Sequence, residues 1–153
     1  MNQAAIWDAI RDRLVGDTGT GGLFNSGTPL LTAFYYAAIP TSGVMPYAVL
    51  SFASDTENDA FVKDIRQIVF RINVFVPRVS TTISDPTLRG SQILARIYGD
   101  TSAGSAPTYG LHRWQPSLSG SWAASHVQQA QAFDEHSDDT YSWVLEYKLT
   151  ISK

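Results

Sequence analysis

The feature that most constrains the fold is the alternation of apolar residues along segment 64–76, DIRQIVFRINVFV. Its even positions from 68 onward are all apolar, whereas its odd positions are mixed. The even set is Ile68, Phe70, Ile72, Val74 and Val76, and the odd set is Gln67, Val69, Arg71, Asn73 and Phe75. A period of two over this length, rich in β-branched and aromatic residues, is typical of a long β-strand with one buried face. The mixed character of the opposite face suggests that it is not simply exposed to solvent.

Shorter patterns on both sides of this strand predict two helices and several further strands. Segment 4–16 has an apolar stripe at Ile6, Ile10 and Leu14, and segment 85–99 opens with an Asp-Pro helix start. Strands are predicted over 32–39, 46–52, 109–114, 120–133 and 140–151, of which the last has the cleanest alternation. We therefore expect one domain over 1–153 with an α+β fold, in which a single, mostly antiparallel sheet has the two α-helices packed on one face, the even face of 64–76.

The composition excludes several classes of protein and weakly favours a subunit of an assembly. The chain has 153 residues, a net charge of −3 and no cysteine, so disulfides, thiolate metal sites and a basic nucleic-acid groove are not expected. Charged residues make up 16% of the chain, below the usual ~25%. A sparsely charged surface is typical of subunits that are buried in an assembly. Neither an export leader nor an apolar run long enough to span a membrane is recognisable, so the chain is expected to be intracellular in the cell that makes it.

An acidic stretch separates the predicted strand 46–52 from the long strand. It contains Asp55, Glu57 and Asp59 within ASDTENDAFVK. Two strands that flank so short a stretch predict a hairpin with a projecting, solvated acidic loop. A calcium loop is less well supported, because the central glycine and the terminal glutamate of an EF-hand are missing.

No motif in the chain indicates catalysis or a cofactor. The residues His112, His126 and His136 are not in a metal-ligand spacing, and neither a GxSxG elbow nor a dinucleotide-binding fingerprint is present. A metal site built from His126, Asp134 and His136 is conceivable, but a polar loop before the last strand explains the same residues. We therefore predict no enzyme activity and no catalytic, cofactor-binding or metal-binding residues.

The order of these segments resembles that of the tail terminator (tail completion) proteins of long-tailed bacteriophages. The matching segments are IWDAIRDRL, MPYAVLSF, SDTEND, RQIVFRINVFVPR, LRGSQILARIYGD and DDTYSWVLEYKLTI. They cover most of the chain, and segments 16–29 and 104–133 are longer than the family usually has. The resemblance is one of pattern and order, without a single diagnostic motif.

The resemblance implies a non-enzymatic structural subunit that forms a ring of six copies. Such a ring caps the tail tube, stops its polymerisation and joins it to the head connector, while double-stranded DNA passes through the lumen without specific binding. It would be assembled in the host cytoplasm, reside in the tail or neck of the virion and contact the tube protein and the connector or adaptor, with no membrane involved. Within such a ring, Asp55, Glu57 and Asp59 are candidates for the lumen, where like charge repels phosphate. The odd-face residues Val69, Arg71 and Phe75 are candidates for the subunit interface, or lie under an insertion loop.

Two other interpretations of the sequence stay open. One is a different head–tail connector or head-completion protein of the same neck. The other, from a different class, is a small hydrolase or ligand-binding domain that uses His112, His126 or Asp134.

Overall fold

The architecture is described by a computed structural model that covers residues 3–60, 63–78, 84–100 and 106–153. The described part contains two helices and six strands. In chain order they are α1 (Gln3–Val15), β1 (Ala33–Tyr36), β2 (Tyr47–Ala60), β3 (Lys63–Pro77), α2 (Ser84–Tyr98), β4 (Ala123–Ala124), β5 (Gln128–Asp134) and β6 (Thr140–Ser152). Neither helix is long and apolar enough to cross a membrane.

The predicted long strand is confirmed as β3, which lies at the centre of the sheet. The strand order is β1-β2-β3-β6-β4, and β5 pairs with β6 on the same side as β4. β1 runs parallel to β2, and all other pairs are antiparallel. The even side chains of β3 from Ile68 to Val76 are all buried, as their alternation predicts. The prediction of a hairpin between the second strand and the long strand is also confirmed by their antiparallel pairing, and residues 61–62 between them lie outside the described residues.

The predicted fold class, an α+β sandwich of one mostly antiparallel sheet with two helices on one face, is wrong. The strands form a curled half-barrel, and the protein is mostly β. Helix α2 contacts β3 and β6, whereas the strand that α1 contacts is β1, at the edge of the sheet. Long antiparallel strands twist, and β-bulges at Ala53 and Ala130 increase the twist locally, so the sheet curls instead of forming a flat platform.

One core joins the even face of β3 with the helices. Ile6, Ile10 and Leu14 of α1 belong to the same buried cluster as Ile93 and Ile97 of α2. At Gly90 the approach of α2 to the sheet is so close that an added Cβ atom would overlap the indole of Trp143. A glycine in the middle of a helix lowers helix stability by about 1 kcal/mol, so its presence here is explained by close packing.

The predicted boundaries differ from the structure in two regions. The acidic stretch that contains Asp55, Glu57 and Asp59 is not a loop, because it continues β2 and pairs with the first half of β3. Segment 109–114 is not a strand, and of 120–133 only β4 and β5 pair with β6. In the acidic stretch, pairing with β3 overrides the turn-like preference of SDTEND.

Candidate subunit interface

The odd residues of β3 face away from the core and form the middle of a second, partly apolar sheet surface, here called the outer face. One line of residues crosses five strands at the same register. This outer row consists of Tyr35 (β1), Val49 (β2), Asn73 (β3), Val144 (β6) and Phe133 (β5). Val49 and Val144 are buried, whereas Phe133 is 37% exposed. The outer row is therefore an apolar strip across the sheet with an amide at its centre.

Aromatic rings extend the strip on one side. The ring centroids of Tyr47 and Phe75 lie 5.2 Å apart, and those of Tyr35 and Tyr47 lie 5.7 Å apart. These spacings are in the range of favourable aromatic pairs. All three residues are only partly buried. Aromatic side chains that are half-covered in one subunit are the type that dominates protein–protein interfaces.

The amide of Asn73 has an unusual environment. Its Oδ1 atom is buried and has no hydrogen-bond partner among the residues that the structure describes. A buried acceptor without a partner costs about 1–3 kcal/mol. It lies in the outer row between Val49 and Val144 and is already covered within the single chain, so a partner could reach it only if docking moved the side chains around it.

The predicted interface residues Val69, Arg71 and Phe75 all lie on the outer face, since they alternate along β3 with the buried set. Phe75 belongs to the aromatic group beside the outer row. Arg71 lies on the other side of Asn73, is 46% exposed and donates from Nε to Glu146 at 2.9 Å. Val69 lies opposite Lys148. The three predicted residues thus border one continuous surface.

The predicted lumen residues are less exposed than an acidic loop would be. Arg66 pairs with Asp55 through Nε at 3.0 Å and Nη2 at 2.9 Å. The Glu57 side chain is 70% exposed, with its Oε1 3.8 Å from Arg66 Nε. Only the backbone of Asp59 is described, in register with Asp64. The carboxylate of Asp55 is therefore closely paired with Arg66, whereas Glu57 is exposed and contacts the same arginine only at 3.8 Å.

The first long loop, 16–32, is fastened to the body by an ion pair. Arg96 Nε and Nη2 donate to Asp17 at 2.7 and 2.6 Å, and the Arg96 guanidinium lies 3.5 Å from the centre of the Tyr109 ring. Burial of Asp17 opposes its ionisation, but the hydrogen bonds from Arg96 and from the Leu23 amide outweigh this and hold the pKa of Asp17 below its ordinary value. The loop also contributes Leu23 and Leu31 to the buried core.

Within the described parts of the chain, the histidines do not come together in a group that could hold a metal ion. Among the described residues no group of three His, Cys, Asp or Glu side chains could hold a metal ion. His136 Nε2 lies 3.8 Å from Asp134 Oδ2, and His126 is exposed without joining them. An open groove of about 500 Å³ lies elsewhere, between α2 and loop 16–32, and the charged residue in its lining, Arg96, is already paired with Asp17.

Several members of the outer face were not identifiable from the long strand alone. Tyr35, Tyr47, Val49, Val144 and Phe133 are brought to Asn73 by strand pairing across the sheet. The alternation within 46–52 and 140–151 does mark which residues share a face. The register between strands, which decides the neighbours, has no signal in a single sequence.

Comparison with known proteins finds matches in structure but not in sequence families. No protein-family model matches the chain, and no curated protein matches it. A chain from the virion of a native gene transfer agent particle has a similar structure, with a TM-score of 0.61 and 14% identity over 98% of this chain and 96% of that chain. A second solved structure, described only by a sequence identifier, matches with a TM-score of 0.50 and 16% identity over 99% of this chain and 96% of that chain. These likenesses define the fold.

Proposed function

We propose that this chain is a non-enzymatic structural subunit of a phage-like virion, and that within the virion it acts as a tail terminator. The observation that carries the proposal is the similarity of the fold, over nearly the whole length of both chains, to a chain of a gene transfer agent virion. The order of the sequence segments, which resembles that of the tail terminator family, supports the finer role. In this role the subunits form a ring of six that ends the tail tube and joins it to the head connector.

The outer face is the surface that we assign to contact between subunits. A closed ring is built by a heterologous interface, in which one patch of each subunit meets a different patch of the next. The outer row and the aromatic group of Tyr35, Tyr47 and Phe75 supply apolar area, and Arg71 with Glu146 forms a polar rim.

Deleting the chain from a strain that produces the particles tests the role directly. A tail terminator stops tube growth, so its loss is expected to give overlong tubes that are not joined to heads, as seen by electron microscopy. Re-expression of the wild-type chain is the matched control. Heads that leak DNA beside tails of normal length would support a head-completion role instead, and normal particles would exclude both.

For the lumen we propose that the acidic tip of the β2–β3 hairpin, with Asp55, Glu57 and Asp59, faces the passing DNA. The prediction is tested best at Glu57, because Asp55 is bound by Arg66 and its replacement would disturb the fold. We expect Glu57→Lys to lower DNA transfer while rings still form, since a cation in the lumen binds phosphate. DNA transfer by the complemented deletion strain measures this, with Glu135→Lys, an exposed change in the β5–β6 turn, as the control. Normal transfer by Glu57→Lys would place the tip outside the lumen.

A further inference from the structure

The edge strand β5 pairs with β6 along one of its two edges, and most of its side chains are exposed. Of its seven residues only Gln129 is partly buried, and the other six are exposed. Its ladder with β6 is interrupted by the bulge at Ala130. Apart from Phe133, which is 37% exposed, β5 buries little apolar side-chain area, so its attachment depends strongly on hydrogen bonds.

Two of these hydrogen bonds are accepted by histidines, one at each end of the strand. The amide of Gln129, at the start of β5, donates to His112 Nδ1 at 3.2 Å. The amide of Ser142 in β6 donates to His136 Nδ1, also at 3.2 Å, and this bond ties the turn that follows β5 to its partner strand. A backbone N–H can only donate, so each Nδ1 must be unprotonated for its bond to exist.

We propose that neutral His112 clamps the start of β5 to the segment after α2, that neutral His136 clamps the turn after β5 to β6, and that acidification loosens both ends of the strand. Protonation places an N–H on Nδ1 that points at the backbone N–H it formerly accepted. Each bond is then replaced by two facing donors, which is less favourable than a bond that is simply lost. The inference does not depend on the proposed function, since it concerns this chain alone.

The surroundings of the rings determine how they respond to acid. His112 is stacked on Tyr98 of α2 with ring centres 4.5 Å apart, and its neighbours include Arg113 and Gln129. Burial and the charge of Arg113 lower the pKa of His112 below 6.5, so the unfolded or released state binds a proton more readily than the clamped state. The stability from this clamp is therefore complete above pH 6.5 and is lost as the pH falls from there through the pKa of the folded state.

At the other end, His136 lies between rings and a carboxylate. Tyr141 and Trp143 of β6 contact it edge-on, with ring centres at 4.7 and 5.2 Å. Asp134 Oδ2 is 3.8 Å from Nε2. Arg78 lies over the Tyr141 ring and is the nearby cation. Asp134 therefore faces the nitrogen that the Ser142 amide does not use.

Hydrogen exchange of the purified chain between about pH 7.5 and 5.0 tests the clamp. After correction for the intrinsic pH dependence, we expect the protection factors of β5 amides to fall about tenfold, while those of β3 stay unchanged. The Val127 amide, which donates to the Trp114 carbonyl, is an internal reference just outside the clamp. Equal protection of β5 across this range would overturn the proposal.

Asparagine variants provide the matched controls. The Oδ1 atom of asparagine can accept the same backbone hydrogen bond but does not titrate, so the double variant His112→Asn, His136→Asn is expected to lose the pH dependence. His126→Asn, an exposed position with no such bond, is expected to keep it. A double variant that still releases β5 in acid would assign the effect to other groups. If the variants do not fold, ¹⁵N spectra of wild-type histidine rings decide: an Nδ1 that is protonated at neutral pH excludes the clamp.

Discussion

Replacing Phe75 with aspartate is expected to prevent ring assembly and to leave the subunit folded. Phe75 lies on the outer face against Tyr47, beside the outer row, and is only partly buried in the single chain. In an interface the new carboxylate would be buried without a partner, and the loss of an aromatic anchor alone typically costs about 2 kcal/mol, or about 30-fold in the association constant. In the free subunit it stays in contact with water, so the free energy of unfolding should fall by only about 1 kcal/mol.

Sedimentation velocity measures assembly, and chemical denaturation of the dilute subunit measures folding. The control is Gln67→Asp, which adds the same charge to the same face of β3 at an exposed position away from the aromatic group. If the ring forms only on a tube, the same pair of variants is compared by complementation of the deletion strain. Unchanged assembly by Phe75→Asp would show that the outer face is not the interface.

The second large effect is expected at Asp17, and it concerns stability. The Asp17 side chain is 7% exposed and accepts from two nitrogens of Arg96 and from the Leu23 amide. Asp17→Asn removes the charge and turns an NH₂ group toward the guanidinium, which leaves Arg96 without its counterion. Breaking a buried pair on one side costs about 3 kcal/mol, and denaturant unfolding at neutral pH measures this loss.

The pH dependence of the same variant separates charge from packing. The folded state holds the pKa of Asp17 below its ordinary 3.8, so its contribution is present above pH 3.8 and is lost as the pH falls through the folded-state pKa. The difference in stability between wild type and Asp17→Asn should therefore shrink in that acid range. Asp12→Asn, which alters an exposed pair with Arg11, should change stability by less than about 0.5 kcal/mol. A loss at Asp17 no larger than at Asp12 would contradict the structural role.

The elements that could be predicted from the sequence are those whose side chains alternate against a core. β3 and β6 were predicted within one residue at each end, because each buries alternate side chains without interruption. The acidic half of β2 could not be predicted, since SDTEND has the composition of a turn. It is extended because β3 offers a partner strand and Arg66 offers a counterion for Asp55. Both belong to the opposite strand, and neither is visible in local sequence.

The curl of the sheet was beyond prediction for a similar reason. It arises from strand twist and from the bulges at Ala53 and Ala130, and alanine has no preference that would mark such a site. The candidate interface was partly predictable: the period of β3 places Val69, Arg71 and Phe75 on one face. The residues of the candidate interface on the four other strands are determined by the strand register. The same register places Asn73, with its unpaired Oδ1, among them.

The unpaired oxygen of Asn73 has a consequence for how specifically the outer face binds other proteins. A purely apolar surface would associate with any other apolar surface, including those of nascent or misfolded chains. Because an amide carbonyl lies at the centre of the outer row, a non-specific partner that only covers the strip leaves the acceptor unpaired, at a cost of about 1–3 kcal/mol. Only a neighbour whose docking uncovers Oδ1 and brings a donor to it removes this cost. The amide would thus favour association with the specific partner over non-specific aggregation.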